Sequence, residues 1–173
     1  VIVVNDGSSD GTAQVLEAYE KKRVKVIHQE NQGQCAAANR AFRESNGDYI
    51  KFFDADDVLN PENIELQFNR IKGRQDVITS SEWGRFYQDD LSTFQAIPES
   101  VWRDMAPMDW LVESLWNGPN MMQCAIWLIP REVLEKSGLW DERLSLINDF
   151  DFMIRVILAS EGIRFAPGAK LYY

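Results

Sequence analysis

Val1-Ile2-Val3-Val4 is an unbroken β-branched run, and a strand with no polar alternation is one covered on both faces. Such strands belong to parallel sheets, where consecutive strands need a crossover connection, usually a helix. The residues that follow supply one. Asn5 to Gly11 is dense in turn formers and N-cap residues, and Thr12 to Lys22 puts Val15, Leu16 and Tyr19 on one helical face. Val24 to His28 reads as a second strand. Gln34 to Glu44, opened by Gly33 and closed by Asn46-Gly47, reads as an alanine-rich helix packed closely on the sheet. Tyr49-Ile50-Lys51-Phe52-Phe53 then reads as a third, buried strand. This β-α-β-α-β order predicts an α/β fold, a Rossmann-like, mostly parallel sheet flanked by helices with right-handed crossovers.

Further on, Asn60-Pro61-Glu62 predicts a helix start with Asn60 as cap, and Ile64, Phe68 and Ile71 mark its buried face. Asp76 to Ser80 reads as a strand. An irregular middle from Glu82 to Asn120 holds an expected hairpin, Trp83–Tyr87 against Thr93–Ile97, and a short helix from Pro107 to Trp116. Gln123 to Ile129 predicts a strand, and Pro130 starts a helix that Gly138 stops. Phe150, Met153, Ile154, Ile157 and Leu158 are spaced as an amphipathic helix. Ile163 to Ala166 follows as a short strand. Both ends break off within strand-like sequence, so the chain is expected to be a fragment of a longer one.

The length of 173 residues suits one domain with a real core. Net charge is −9, which argues against nucleic acid or an anionic membrane surface as the main partner. Two cysteines, Cys35 and Cys124, and one histidine, His28, make zinc and a disulfide framework poor expectations. They suit a reducing, cytoplasmic setting. No apolar run approaches the ~20 residues that span a bilayer.

Acidic residues mark where chemistry is expected. Asp54, Asp56 and Asp57 arrive where the third strand should end, the edge at which α/β proteins hold ligands. If the segment stays extended, Asp54 and Asp56 face the same way and can address one divalent ion or a sugar phosphate. Asp6 follows the first strand, at the same edge of a parallel sheet, and could bond a base or ribose. Turn formation and capping by Asp6 and Asp10 is the plainer reading. Asp149 opens the amphipathic helix, as a cap shared with Asn148 or as a general base. A helix N-terminus favours the ionised carboxylate, the form a base requires. Trp83, Trp102, Trp116 and Trp140 lie near loops as sugar-stacking candidates, with core packing the commoner use. Met121-Met122 read as gap-fillers, and His28 as structural.

Together these residues resemble family 2 glycosyltransferases. Val1 to Thr12 is similar to the family's hydrophobic strand followed by Asp-Asp-Gly-Ser-x-Asp-Gly-Thr, and Asn31-Gln32-Gly33 to its Asn-x-Gly loop. Phe53-Asp54-Ala55-Asp56-Asp57 resembles the D-x-D segment. Pro130 to Val133 through Gly138 to Arg143 resembles the stretch before the family's catalytic Glu-Asp, and Asn148-Asp149 falls at that pair. The motifs are colinear over nearly the whole chain.

The resemblance implies a GT-A fold and an inverting, metal-dependent transfer of a sugar from a nucleotide-sugar donor, a UDP-sugar above all, to a glycan or lipid-linked acceptor in polysaccharide synthesis. By position, Asp6 would contact the donor base and Asp54 the ribose or metal. Asp56 would ligate Mg²⁺ or Mn²⁺ bridging the diphosphate, and Asp149 would deprotonate the acceptor hydroxyl. One catalytic domain over residues 1–173 is expected, with 1–80 as the nucleotide-sugar half and 81–173 as the acceptor side. The setting implied is cytoplasmic, at the inner membrane face, with peripheral association through segments outside this chain. The family's first strand is missing, so the chain alone is expected to bind its donor poorly.

Three positions depart from the family pattern. Asn5 replaces an aspartate, Ala38 stands where many members carry arginine, and Asn148 replaces a glutamate. They favour one rival, a non-catalytic sugar- or nucleotide-binding domain. A second rival, a nucleotidyltransferase, would want a basic glycine-rich loop, whereas Gly7 to Gly11 has no Lys or Arg.

Overall fold

The computed structural model describes residues 1–20, 22–116 and 122–173. Met121, and the end of the irregular middle at Asn120, lie outside the described residues. The chain forms two compact units, Val1–Gly47 with Leu139–Asn148, and Asp48–Gly138 with Asp149–Tyr173.

The first unit holds β1 (Ile2–Asp6), α1 (Thr12–Glu20), β2 (Lys25–Gln29) and α2 (Gln34–Arg43). β1 and β2 pair in parallel, Ile2 opposite Lys25 and Asp6 opposite Gln29, as the crossover logic requires. The expected buried face of α1 is not buried, since Val15 is 60% and Tyr19 47% exposed. A sheet two strands wide offers that helix little to pack on. α2 buries Cys35, Ala36 and Asn39. The Asn39 amide donates to Trp140 O and Glu142 Oε1, and its carbonyl accepts from Trp140 N at 3.0 Å. That one side chain fastens the loop after Gly138 to the unit's interior.

The second unit contains β3 (Tyr49–Ile50), β4 (Val58–Leu59), α3 (Asn63–Ile71), β5 (Val77–Tyr87), β6 (Asp90–Ala96), α4 (Pro107–Trp116), β7 (Ile129–Pro130), α5 (Arg131–Ser137), α6 (Asn148–Ala159, all but its first residue) and β8 (Gly162–Tyr172). Four strands form one mixed sheet in the order β4-β8-β5-β6, with β5 and β8 parallel and the outer pairs antiparallel. The expected hairpin is present. Gln88 and Asp89 both adopt positive φ, 57° and 55°, the geometry that matches the twist of two joined strands.

Several elements differ from expectation. The third strand is only Tyr49–Ile50, and it pairs antiparallel with Ile129–Pro130. Helix α3 starts at Asn63 rather than Pro61, and its buried face is Asn63, Gln67 and Ile71, while Ile64 and Phe68 are exposed. The inversion is possible because both amides find backbone carbonyls. Asn63 donates to Lys170 O, and Gln67 to Ile126 O and Thr79 O. Asn60 pins the end of β8 instead of capping a helix, accepting from Lys170 N at 2.7 Å. On α6 the buried stripe is Phe152, Met153, Val156 and Ile157, with Phe150 and Leu158 exposed.

Residues 123–129, expected as a strand, begin instead with a 3-10 turn at Cys124–Ile126. Trp127 is fully buried, edge-on to Trp110 at 5.2 Å between ring centres. Phe52 meets Phe152 in the same way. Among the described residues no helix is long and apolar enough to cross a membrane.

Candidate active site

In the first unit, Asp6 ends β1 and works as a clamp. Its carboxylate accepts from Gln29 Nε2 (2.8 Å), Gln32 N (2.9 Å) and Gly33 N (2.8 Å). Burial pushes its pKa upward, but these three hydrogen bonds outweigh it and hold the carboxyl below its usual value. The Asn31-Gln32-Gly33 loop is thus tied to the end of β1 through one side chain. Gly7, at φ +73°, lets the two loops approach, because a Cβ there would stand 2.7 Å from Asn31 N. Gly7→Ala therefore combines a strained backbone with a main-chain clash. It should cost about 1–3 kcal/mol, read as a lower urea midpoint.

Asn5 is buried behind this loop, where its amide pairs with His28 Nδ1 and its oxygen accepts from Ser8 N. His28 is thus a structural partner. Asp10 accepts from Thr12 N at the start of α1, as expected for a turn aspartate. Asn148 donates to Gln34 Oε1 and Cys35 Sγ.

In the second unit, the carboxylates gather differently from the extended D-x-D arrangement. Residues 54–57 turn, with Asp57 N reaching Asp54 O at 3.4 Å. A turn brings together side chains three apart, so Asp54 and Asp57, not Asp54 and Asp56, share a partner. That partner is Gln123, whose Nε2 donates to Asp54 Oδ2 at 3.3 Å and to Asp57 Oδ2. Asp57 is buried, Asp54 half-buried, and Asp56 exposed at the tip.

The electrostatics follow from this crowding. Burial, with Asp54 and Asp56 adding to it against Gln123 and Lys51, raises Asp57 to about 6. Asp149 is also raised to about 6, first by burial and then by Asp54 and Asp57. For Asp149 burial therefore overrides the helix N-terminus, which alone would favour the charged form. Asp149 thus feels both Asp54 and Asp57, and Asp57 feels Asp54, whereas Asp6 belongs to the other unit.

Two further participants went unnoticed in the sequence. Lys51 sits inside the unit, donating to Gln67 Oε1 (2.8 Å) and Trp127 O (3.4 Å). Burial lowers it to about 7, opposed by Cys124 and Asp57. Gln123 is the other. The only signal for either was a polar residue inside or heading an apolar run. Cys124 is no nucleophile, because burial and the surrounding carboxylates push its thiol well above its usual value.

Among the described residues, no three His, Cys, Asp or Glu side chains form a ready metal cage. Magnesium is usually held by one or two carboxylates plus substrate phosphates, and the exposed Asp56 in a crowded carboxylate turn fits that role. Of the sugar-stacking candidates, Trp83 and Trp140 are buried and Trp102 stacks on Phe165, while Trp116 is exposed. Met122 is a buried filler.

The fold is α/β, with carboxylates collected in the loop after β3 and at the start of α6. The sequence profile described as Glycosyl transferase family 2 matches residues 1–138, and the chain belongs to that family. It is similar to the putative glycosyltransferase EpsH of Bacillus subtilis, 32% identical over 120 residues, covering 68% of this chain and 34% of that protein. It is also similar to the cholesterol galactosyltransferase of Borreliella burgdorferi, 23% identical over 175 residues, covering 95% of this chain and 49% of that protein. The chain thus spans half or less of these relatives.

Its backbone resembles S. aureus TarS 1–349 in complex with UDP, with TM-score 0.79, 21% identity, and all of this chain over 50% of that one. The complex of the same protein with UDP-GlcNAc gives 0.81 at 20% identity, over 48% of that chain. At such identities the likeness shows the fold, which is GT-A.

Proposed function

We propose that this chain transfers a sugar from a nucleoside-diphosphate-sugar donor to an acceptor hydroxyl, with inversion, in the synthesis of a glycan or polysaccharide. The observation that carries the reading is Asp149, a half-buried carboxyl held at about 6 beside the Asp54–Asp57 turn. At neutral pH it is mostly ionised, yet basic enough to take a proton from a hydroxyl as it attacks. The acceptor oxygen then bonds to the anomeric carbon, the bond from that carbon to the diphosphate oxygen breaks, and the electron pair leaves with the diphosphate.

In-line attack needs base and leaving group on opposite faces of the sugar, which inverts the anomeric carbon. Asp56, with Asp54 beside it, would hold Mg²⁺ or Mn²⁺ against the diphosphate. The cation supplies charge neutralisation for the leaving group. Asp6 fixes the Asn31–Gly33 loop of its own unit, and its remaining acceptor capacity suits a base or ribose. UDP-sugars are the first donors to try, since TarS has been crystallised with UDP and UDP-GlcNAc. Buried, unpaired Cys35 and Cys124 support a reducing, cytoplasm-facing setting.

The test is a donor screen on the full-length protein, with Mn²⁺ present or chelated, reading hydrolysis and transfer, and the product's anomeric configuration by NMR. Turnover that needs the cation and inverts the anomeric centre is expected. Retained configuration would exclude the in-line mechanism. Glycan binding without turnover of any donor would favour the non-catalytic rival.

A further inference from the structure

Gln123 is buried at the head of the 3-10 turn, and its side-chain amide bonds one backbone N–H of that turn and two carboxylates of the 54–57 turn. Its Oε1 accepts from Ala125 N at 2.8 Å. That bond orients the amide, so Nε2 is turned toward the carboxylates. The two N–H groups then reach Asp54 Oδ2 at 3.3 Å and Asp57 Oδ2. The turn's own backbone bond, Asp57 N to Asp54 O, is long at 3.4 Å, and the side-chain bridge adds a second link between the same two residues.

We propose that Gln123 is a positioning residue: by bridging Asp54 and Asp57 it fixes the direction in which the intervening Asp56 is presented to a divalent cation and a diphosphate. The residue type suits the task. A Lys or Arg here would neutralise the carboxylates and compete with the cation, while a carboxylate would add repulsion to a cluster already crowded with negative charge. A neutral amide offers two donors and an acceptor, and leaves the carboxylate charge available. Lys51 lies nearby, but its ammonium is committed to Gln67 Oε1 and Trp127 O. The amide touches both ends of the turn.

The inference rests on the proposed donor site, and the experiment separates the two. Binding of Mn²⁺ in the presence of UDP is measured by electron paramagnetic resonance on the full-length protein and normalised to the native fraction from near-UV circular dichroism. Gln123→Met is expected to weaken Mn²⁺ binding about tenfold per folded molecule. It should raise the Mn²⁺ needed for half-maximal turnover, while kcat at saturating Mn²⁺ falls much less. Asp57→Asn, which attacks the same bridge from its other end, should act likewise. The double variant should be no worse than either single one, the non-additivity of two residues acting through one contact. A Gln123→Met protein that folds and binds Mn²⁺ as the wild type does overturns the inference, and so do strictly additive losses. Should Gln123→Met not fold, an unchanged Mn²⁺ affinity in Asp57→Asn overturns it just as well. If the wild type itself binds no Mn²⁺ with UDP, the donor-site reading fails and takes this inference with it.

Discussion

Replacing Asp149 with asparagine is expected to lower kcat by about 10²–10⁴-fold and, at neutral pH, to make the protein more stable. Its carboxyl has a pKa of about 6 in the folded chain against 3.8 for the free side chain. Between those values the folded state binds more protons than the unfolded one, so stability falls as pH rises through this window. Above about 6 the full cost of the buried charge is present. Two pH units would amount to about 3 kcal/mol. Partial solvent access reduces that to about 1–2 kcal/mol, or roughly 2–6 °C in unfolding midpoint for a chain of this size. Asp149→Asn should show that gain at pH 7.5 and lose it near pH 4. In the wild type, kcat should rise on the acid side with an apparent pKa near 6, a limb the variant should lack. A destabilised variant at pH 7.5 would show that Asp149 carries no such cost, and one that keeps the acid limb would show that Asp149 is not the base.

Asp56→Ala tests the other end of the reaction and should leave stability nearly untouched, because the side chain is exposed at the tip of its turn. The cation it would hold contributes several kcal/mol to departure of the diphosphate. A loss of roughly a hundredfold or more in kcat/KM is therefore expected, together with loss of Mn²⁺ binding in the presence of UDP. The urea midpoint should move by less than about 0.5 kcal/mol in equivalent stability. Asp149→Asn should in turn bind Mn²⁺ and UDP normally, so the two variants separate donor capture from acceptor activation. Full Mn²⁺ affinity in Asp56→Ala would remove Asp56 from the ligand set.

Much of the scaffold was legible because it follows from periodicity and punctuation. The Val1–Val4 run marks a strand, though a half-buried one and not one covered on both faces. The Gly33 and Gly138 boundaries hold, and the hairpin turns in two residues, Gln88 and Asp89, fewer than expected. What escaped was burial that runs against polarity. Ile64 and Phe68 looked like the inner face of α3, yet Asn63 and Gln67 are inside, because carbonyls of β8 and of the 3-10 turn complete their hydrogen bonds. Periodicity counts apolar residues and cannot see those carbonyls.

The site shows the same division. Asp6, Asp54, Asp56 and Asp149 stood out as carboxylates at element ends. The extended geometry assumed for the D-x-D segment gave way to a turn, whose i to i+3 pairing depends on Gln123 some seventy residues later. The direction of Asp149's perturbation was also hidden, since burial is a property of the assembled unit and not of a helix start.

The first compact unit is discontinuous in sequence: its first 47 residues are joined by Leu139–Asn148. Asn39 is 2% exposed, and its three side-chain hydrogen bonds all end on Trp140 and Glu142. A ribosome making this chain from its N-terminus therefore delivers the strands and helices of that unit well before it delivers the residues that close it. The family profile stops at residue 138, short of them. A piece cut at that boundary would keep Asp6 and the Asp54–Asp57 turn and yet lose all three of these hydrogen bonds, each contributing about 1 kcal/mol. The span by which the family is identified and the span that completes the first unit are different lengths of chain.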